Sequence, residues 1–414
     1  MLTIDGMVTA SLHRPLRVCM VTGYRPTLSG GGMEKHVYEL VGGLRRRRIE
    51  VEIICEDRSF LPDAANELAP CIIGVDSDSL QATGWTALYR EKARRFAELL
   101  NARRYDIVHC HSHYGYGVAT KLAALRDRPK LINTFHLTPL GQLERFAQLG
   151  VPEPEGAPID RAVAFMERHV AQESDLCIAV SQAVGQEVEH FYGVPPERIH
   201  VVHNWFDPAI FRPHHRSGAR RLLGLDPDVP YLLYVGHFNL QRGQLLTEAM
   251  RLLPPGVKLL AIHPERDESI ESEFGDRVQM VGHVAADRMA LYYSAANLQC
   301  FPTVYAGFGL VLVEGMACGC PPVVFDFPAM NEIVTPSAGY LVDVPTAEAY
   351  AAGIIRGLED GDRKHDAAIE RSAVFTLSSQ IDRVLNLYRQ LMPVYTGMDP
   401  SGGTVQRPGK RSRS

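Results

Sequence analysis

The chain has 414 residues, 46% of them hydrophobic and 22% charged, with a formal net charge of -5. This length suits two domains with a core each, and the mild acidity gives no electrostatic footing for nucleic acid. No run of about 18 apolar residues suggests a membrane-crossing helix, and Met1 to Pro15 lacks the basic start and apolar stretch of a secretion signal.

The expected elements alternate strand and helix. Leu16–Thr22 is a short apolar run ending at turn residues, and a glycine cluster with an amphipathic stretch, Glu34 to Leu44, follows it. Val51–Cys55, Tyr105–Cys110, Leu131–Phe135 and Leu176–Val180 continue the series. The alternation pauses around Val201–Pro208, and Phe211-Arg-Pro-His-His reads as a linker. It restarts with Tyr231–Gly236, Val257–Ile262, Val278–Val281, Leu298–Phe301 and Pro322–Phe325. Near-continuous apolar strands between helix-period segments mark parallel sheets covered on both faces. The expected fold class is therefore α/β, with two Rossmann-like doubly wound parallel-sheet domains in tandem. Ligands of such sheets bind beyond the carboxyl ends of the strands. The loops after Thr22, Phe135, Gly236 and Phe301 should then face a common cleft. Residues 393–414, rich in Gly, Pro, Ser, Arg and Lys, read as a disordered tail.

Eight cysteines are spread along the chain, and only Cys318 and Cys320 stand close together. Neither a zinc spacing nor a disulfide framework emerges, which fits small buried side chains in a reducing cytoplasm. His109, His111 and His113 alternate in a way that could suggest a metal, but strand packing explains them better, and no metal is expected. The basic run Arg45 to Arg48 ends the first helix and complements its dipole, with weak contact to an anionic membrane surface as the alternative.

Two segments carry chemistry. Ser29 to Leu40 places glycines between the first strand and the first helix, where free N–H groups can meet an anion. It is not a G-x-G-x-x-G fingerprint. Pro302 to Val324 runs strand, glycine loop, helix and turn, with Glu314 alone on an apolar helix. A carboxylate there needs hydrogen bonds from a ligand or a neighbour. Ribose hydroxyls would supply them, while N–H groups near Gly309 and Leu310 could hold a diphosphate.

With these segments the chain resembles glycosyltransferase family 4, the retaining transferases of GT-B fold. Asp106-Ile-Val-His-Cys-His111, Thr134-Phe-His136, Ala179-Val-Ser181, Pro195 to Asn204, Tyr234-Val-Gly236, Val281-Gly282 and Asn331-Glu-Ile-Val334 add to the likeness. It spans about Leu16 to Leu391. The resemblance implies an N-terminal extension (1–15), an acceptor domain (16–206), a nucleotide-sugar domain (207–376) and a helix (377–392) packing back on the first domain. It implies a nucleotide-sugar donor as co-substrate, no cofactor, and a small acceptor bound by the first domain, chiefly by Leu137 to Ala164. His136 would be the catalytic residue, its side chain on the sugar and its backbone carbonyl near the anomeric carbon. Gly31, Gly32, His237, Arg242, Ala306, Gly307, Phe308, Gly309, Leu310 and Glu314 would bind the donor, with Glu314 on the ribose. Val281, His283, Ser181 and Asn204 would meet the base or the acceptor.

The chain departs from the family pattern at three places. His237 stands where the family has arginine, with Arg242 replacing a lysine charge. Ala306 stands where the family has the first acid of Glu-x7-Glu. His263-Pro-Glu265 replaces a glycine-rich strand end. The alanine suggests a deoxy or edge-modified donor sugar and, with it, a natural-product or aminoglycoside-type acceptor. The same departures leave a non-catalytic auxiliary subunit, or a nucleotide-sugar epimerase, as alternatives.

Overall fold

A computed structural model describes residues 14–28, 31–56, 67–68, 71–75, 85–236, 240–263 and 268–392, the side chains at 75, 85–86 and 240–242 excepted. The disordered-tail reading and most of the N-terminal extension therefore lie outside the described residues. So do His237, the side chain of Arg242, and Pro264 with Glu265.

The first half builds β1 (Arg17–Val21), α1 (Gly32–Arg46), β2 (Glu50–Glu56), β3 (Ile72–Val75), α2 (Trp85–Ala102), β4 (Ile107–His111), α3 (Tyr116–Ala123) and β5 (Lys130–Phe135). It continues with α4 (Pro139–Gln148), α5 (Ala157–Glu173), β6 (Leu176–Ala179), α6 (Gln182–Tyr192) and β7 (Ile199–Val201). The strands pair in parallel in the order β3-β2-β1-β4-β5-β6-β7. β1 and β4 are almost wholly buried because helices cover both faces, which is why they read as unbroken apolar runs.

The second half builds α7 (Arg216–Leu223), β8 (Tyr231–Val235), α8 (Leu240–Leu252), β9 (Lys258–Ile262), α9 (Glu268–Phe274), β10 (Val278–Val281), α10 (Ala286–Ala295) and β11 (Leu298–Phe301). Then come α11 (Leu310–Ala317), β12 (Pro322–Phe325), α12 (Met330–Ile333), β13 (Tyr340–Val342), α13 (Ala347–Asp360), α14 (His365–Ser372) and α15 (Leu377–Leu391). Its parallel order is β10-β9-β8-β11-β12-β13.

The sequence reading omits β3, β7 and β13. All three are edge strands of three or four residues, too short to show a period, although β13 buries Tyr340 and Val342. His113 is also not on β4 but in the 3-10 turn that follows, leaving only His109 and His111 on one strand face.

α15 returns to the first domain. Phe206 bridges Thr376, and Leu377, Ile381, Val384 and Tyr388 join the core cluster that holds Val37, Leu40 and Leu44 of α1. Arg47, just past α1, ties Asp382 at 2.8 Å, so part of the basic run docks on α15 rather than facing solvent. All eight cysteines are free, and every one except Cys71 is buried.

Candidate active site

Two helices begin opposite one another across the cleft. α1 starts after Gly31, and α11 starts after Gly309; neither cap residue has a side-chain hydrogen bond to its helix. A Cβ built on Gly32 would lie 3.4 Å from Leu310 Cδ1, so the two starts are in contact. Two positive dipole ends facing each other form an environment that favours an anion between them.

The loop after β5 closes the cleft. His136 follows Phe135, and Thr138 caps α4 by accepting from the Gly141 N–H at 3.1 Å. A Cβ on Gly307 would stand 1.8 Å from the His136 carbonyl oxygen, so only glycine allows this approach. The Tyr305 hydroxyl lies 2.9 Å from the Thr138 carbonyl and 2.8 Å from the Glu187 carboxylate. Thr138 Oγ1 also donates to Glu187, at 2.6 Å. Burial raises the Glu187 pKa, against these donors. Ala306 and Glu187 share a small cavity of about 60 Å³ with Arg145.

Beneath this loop the imidazoles gather. His111 Nδ1 is 3.0 Å from His136 Nε2, and the His36 ring lies 4.7 Å from that of His136. His36 Nδ1 meets Asn204 Oδ1 at 2.8 Å, and its ring packs 4.2 Å from that of Trp205. His109 is held by Tyr388 and Thr134, both at 2.7 Å. Burial depresses the whole set: His136 to about 4, His109 to about 3, and His36 and His111 well below the ordinary range. All four are neutral at physiological pH. One ligand atom from each of His36, His111 and His136 lies within 4.8 Å of the others, a set of neutral imidazoles able to hold a divalent metal. The metal pattern weighed along the strand, His109-His111-His113, is thus not the group the fold assembles.

Glu314 is buried, with one partner on each oxygen. Lys35 of α1 reaches across the cleft to its Oε1, and the Tyr293 hydroxyl donates to Oε2 at 3.1 Å. Lys35 also sits 4.6 Å from the centre of the Phe211 ring. Burial works to lower the Lys35 pKa, but Glu314 and Glu39 together leave it raised. Glu39 receives the Trp205 indole N–H at 2.9 Å, and burial pushes its carboxyl up to about 7.

The remaining expected residues are scattered in role. Ser181 is wholly buried and caps α6, accepting from Val184. Asn204 serves His36. Val281 ends β10, its carbonyl accepting from the His263 N–H at 3.0 Å, and His283 is exposed just beyond it. Phe308 is buried beside His203 and Phe375. Lys35, His36 and Glu187 were not singled out in the sequence. Lys35 carried no signal of the kind that found Glu314, because it lies on the face of α1 with Glu39 and Arg46, opposite the apolar stripe of Val37, Leu40 and Leu44.

Residues 30–210 match the family described as Glycosyltransferase Family 4, and residues 217–373 match Glycosyl transferases group 1. A D-inositol 3-phosphate glycosyltransferase of Xylanimonas cellulosilytica is 31% identical over 84% of this chain and 88% of its own length. One from Mycolicibacterium smegmatis is 27% identical over 98% of both chains. Among solved structures, the sucrose-phosphate synthase of Thermosynechococcus elongatus superposes with a TM-score of 0.78 at 24% identity, covering 92% of this chain and 100% of that one. An Anabaena protein in complex with UDP and glucose gives 0.69 at 17% identity, covering 91% and 100%. No helix among the described residues is long and apolar enough to cross a membrane.

Proposed function

The chain belongs to glycosyltransferase family 4, with the GT-B fold, and from that premise we propose that it transfers a sugar from a nucleoside-diphosphate donor, with retention, to a small polyol acceptor. The observation that carries this reading is the contact of the His136 carbonyl with Gly307, between the starts of α1 and α11. The two converging helix starts suit a diphosphate, and the sugar would then lie against His136. Glu314 takes the ribose hydroxyls. Departure of the diphosphate leaves positive charge at the anomeric carbon, and the His136 carbonyl dipole faces it. The leaving diphosphate accepts the acceptor's proton as the new bond forms on the same face. The neutral His136 imidazole exchanges hydrogen bonds with the sugar and takes no net proton. No metal is needed for these steps.

The acceptor in the relatives' names, D-inositol 3-phosphate, supports a cyclitol-like acceptor in the first domain. For the donor, Ala306 supports a sugar lacking or modifying the hydroxyl that an acid would bind there. Ala306→Glu should then improve use of a fully hydroxylated donor relative to a deoxy one; a wild type that already prefers UDP-glucose contradicts this.

The function itself is tested by incubating the protein with UDP-sugars, each with D-inositol 3-phosphate or with an unphosphorylated aminocyclitol. UDP release that requires one acceptor is expected. Release indifferent to acceptor, or an epimerised donor without release, overturns the reading.

A further inference from the structure

The acid assigned to the ribose sits on the second domain, yet the cation that touches it belongs to the first. Lys35 lies on α1, three residues past Gly32, and its ammonium meets Glu314 Oε1 on α11. Tyr293, also in the second domain, holds the other oxygen. One bond to each oxygen fixes the carboxylate plane and leaves acceptor capacity on both atoms, since an ionised carboxylate offers about four sites. Two ribose hydroxyls need two of them.

We propose that Lys35 is a positioning residue of the donor site, completing the ribose-binding carboxylate from the opposite domain so that nucleotide affinity depends on closure. This rests on the assignment of Glu314 to the ribose. The pair can also open without stranding a buried cation. Glu39 lies one helical turn beyond Lys35, on the same face, and its Oε1 is buried with no hydrogen-bond partner among the described residues. When Glu314 and Phe211 withdraw with their domain, Lys35 retains Glu39 as an acidic neighbour. Breaking a buried pair outright would be far more costly.

The test is calorimetric titration of the full chain with the best bound of UDP, GDP and ADP, and with its 2′-deoxy analogue. Lys35→Met should weaken the ribonucleotide at least about tenfold, the scale of a lost charge-assisted contact. It should also shrink the preference for ribo- over 2′-deoxynucleotide, and Lys35→Arg should recover part of both. A purely structural lysine would leave that preference intact. Because Lys35→Met strands Glu314, the double variant Lys35→Met/Glu314→Gln provides a neutral pair. It should bind no more weakly than Glu314→Gln alone. Wild-type affinity and preference in Lys35→Met, or additive losses in the double variant, would overturn the proposal. If Glu314→Ala itself leaves the ribonucleotide affinity unchanged, the ribose assignment fails instead.

Discussion

Gly307 shows how narrowly single residues are specified here. The group that a side chain would strike is backbone, the His136 carbonyl at 1.8 Å, and backbone cannot rotate aside. Gly307→Ala should therefore hold the domains apart while leaving each one folded. Displacing reacting groups by about 1 Å costs roughly 100-fold in rate, so turnover should fall at least that far while the melting temperature barely moves. Equal loss of both would mean that Gly307 serves folding rather than closure. The buried imidazoles give a second test at this scale. Their folded pKa values lie below the ordinary 6.5, at about 4 for His136 and about 3 for His109. The unfolded chain thus binds more protons between those values and 6.5. Stability is complete above that range and drains away as pH falls through it, by up to about 1.4 kcal/mol per pH unit for each imidazole. Urea unfolding at about pH 7 and about pH 5 should show the loss, and His109→Gln should make it less steep. Identical slopes would remove His109 from the account. Sequence order pointed to His136 and Glu314 through their motifs. It gave no hint that His36 would stack on Trp205, because that contact joins residues from opposite ends of the first domain.

At the scale of elements, what was legible depended on burial. Central strands such as β1 and β4 are covered on both faces and stand out as apolar runs, whereas the edge strands β3, β7 and β13 do not. The helix partners of the site were less visible. α11 is apolar around most of its circumference, which marked Glu314 as an exception, but nothing in that helix specifies a lysine from α1 as its partner. α15 packs closely on α1. Gly43 in α1 lets Ile381 approach so closely that a Cβ there would stand 1.9 Å from Ile381 Cδ1. Ile381 is wholly buried, so Ile381→Ala should cost about 2–5 kcal/mol. The loss should appear as earlier unfolding of the first domain, read from amide exchange in β1 and β2. Protection lost only in the second domain would show that α15 supports the other half.

Over the whole molecule, the two sheets present the carboxyl ends of their strands to one cleft, as open parallel sheets do with ligands. Across that cleft run Lys35 to Glu314, Tyr305 to Glu187, and Glu332, which accepts from the Gln182 N–H and lies 2.6 Å from His203 Nε2. The two halves thus meet through polar contacts that a ligand can replace, beside an apolar cluster shared by Phe135 and Val180 of the first domain and Phe308 and Leu312 of the second. Closure of this kind orders the reacting atoms and excludes water. The central claim is that transfer takes place in this closed cleft with the leaving diphosphate and the incoming acceptor on one face of the sugar. Proton NMR of the product made from an α-configured nucleotide sugar tests it most directly. The account predicts an α-linked product from the wild type and no product from Gly307→Ala; a β-linked product would contradict it.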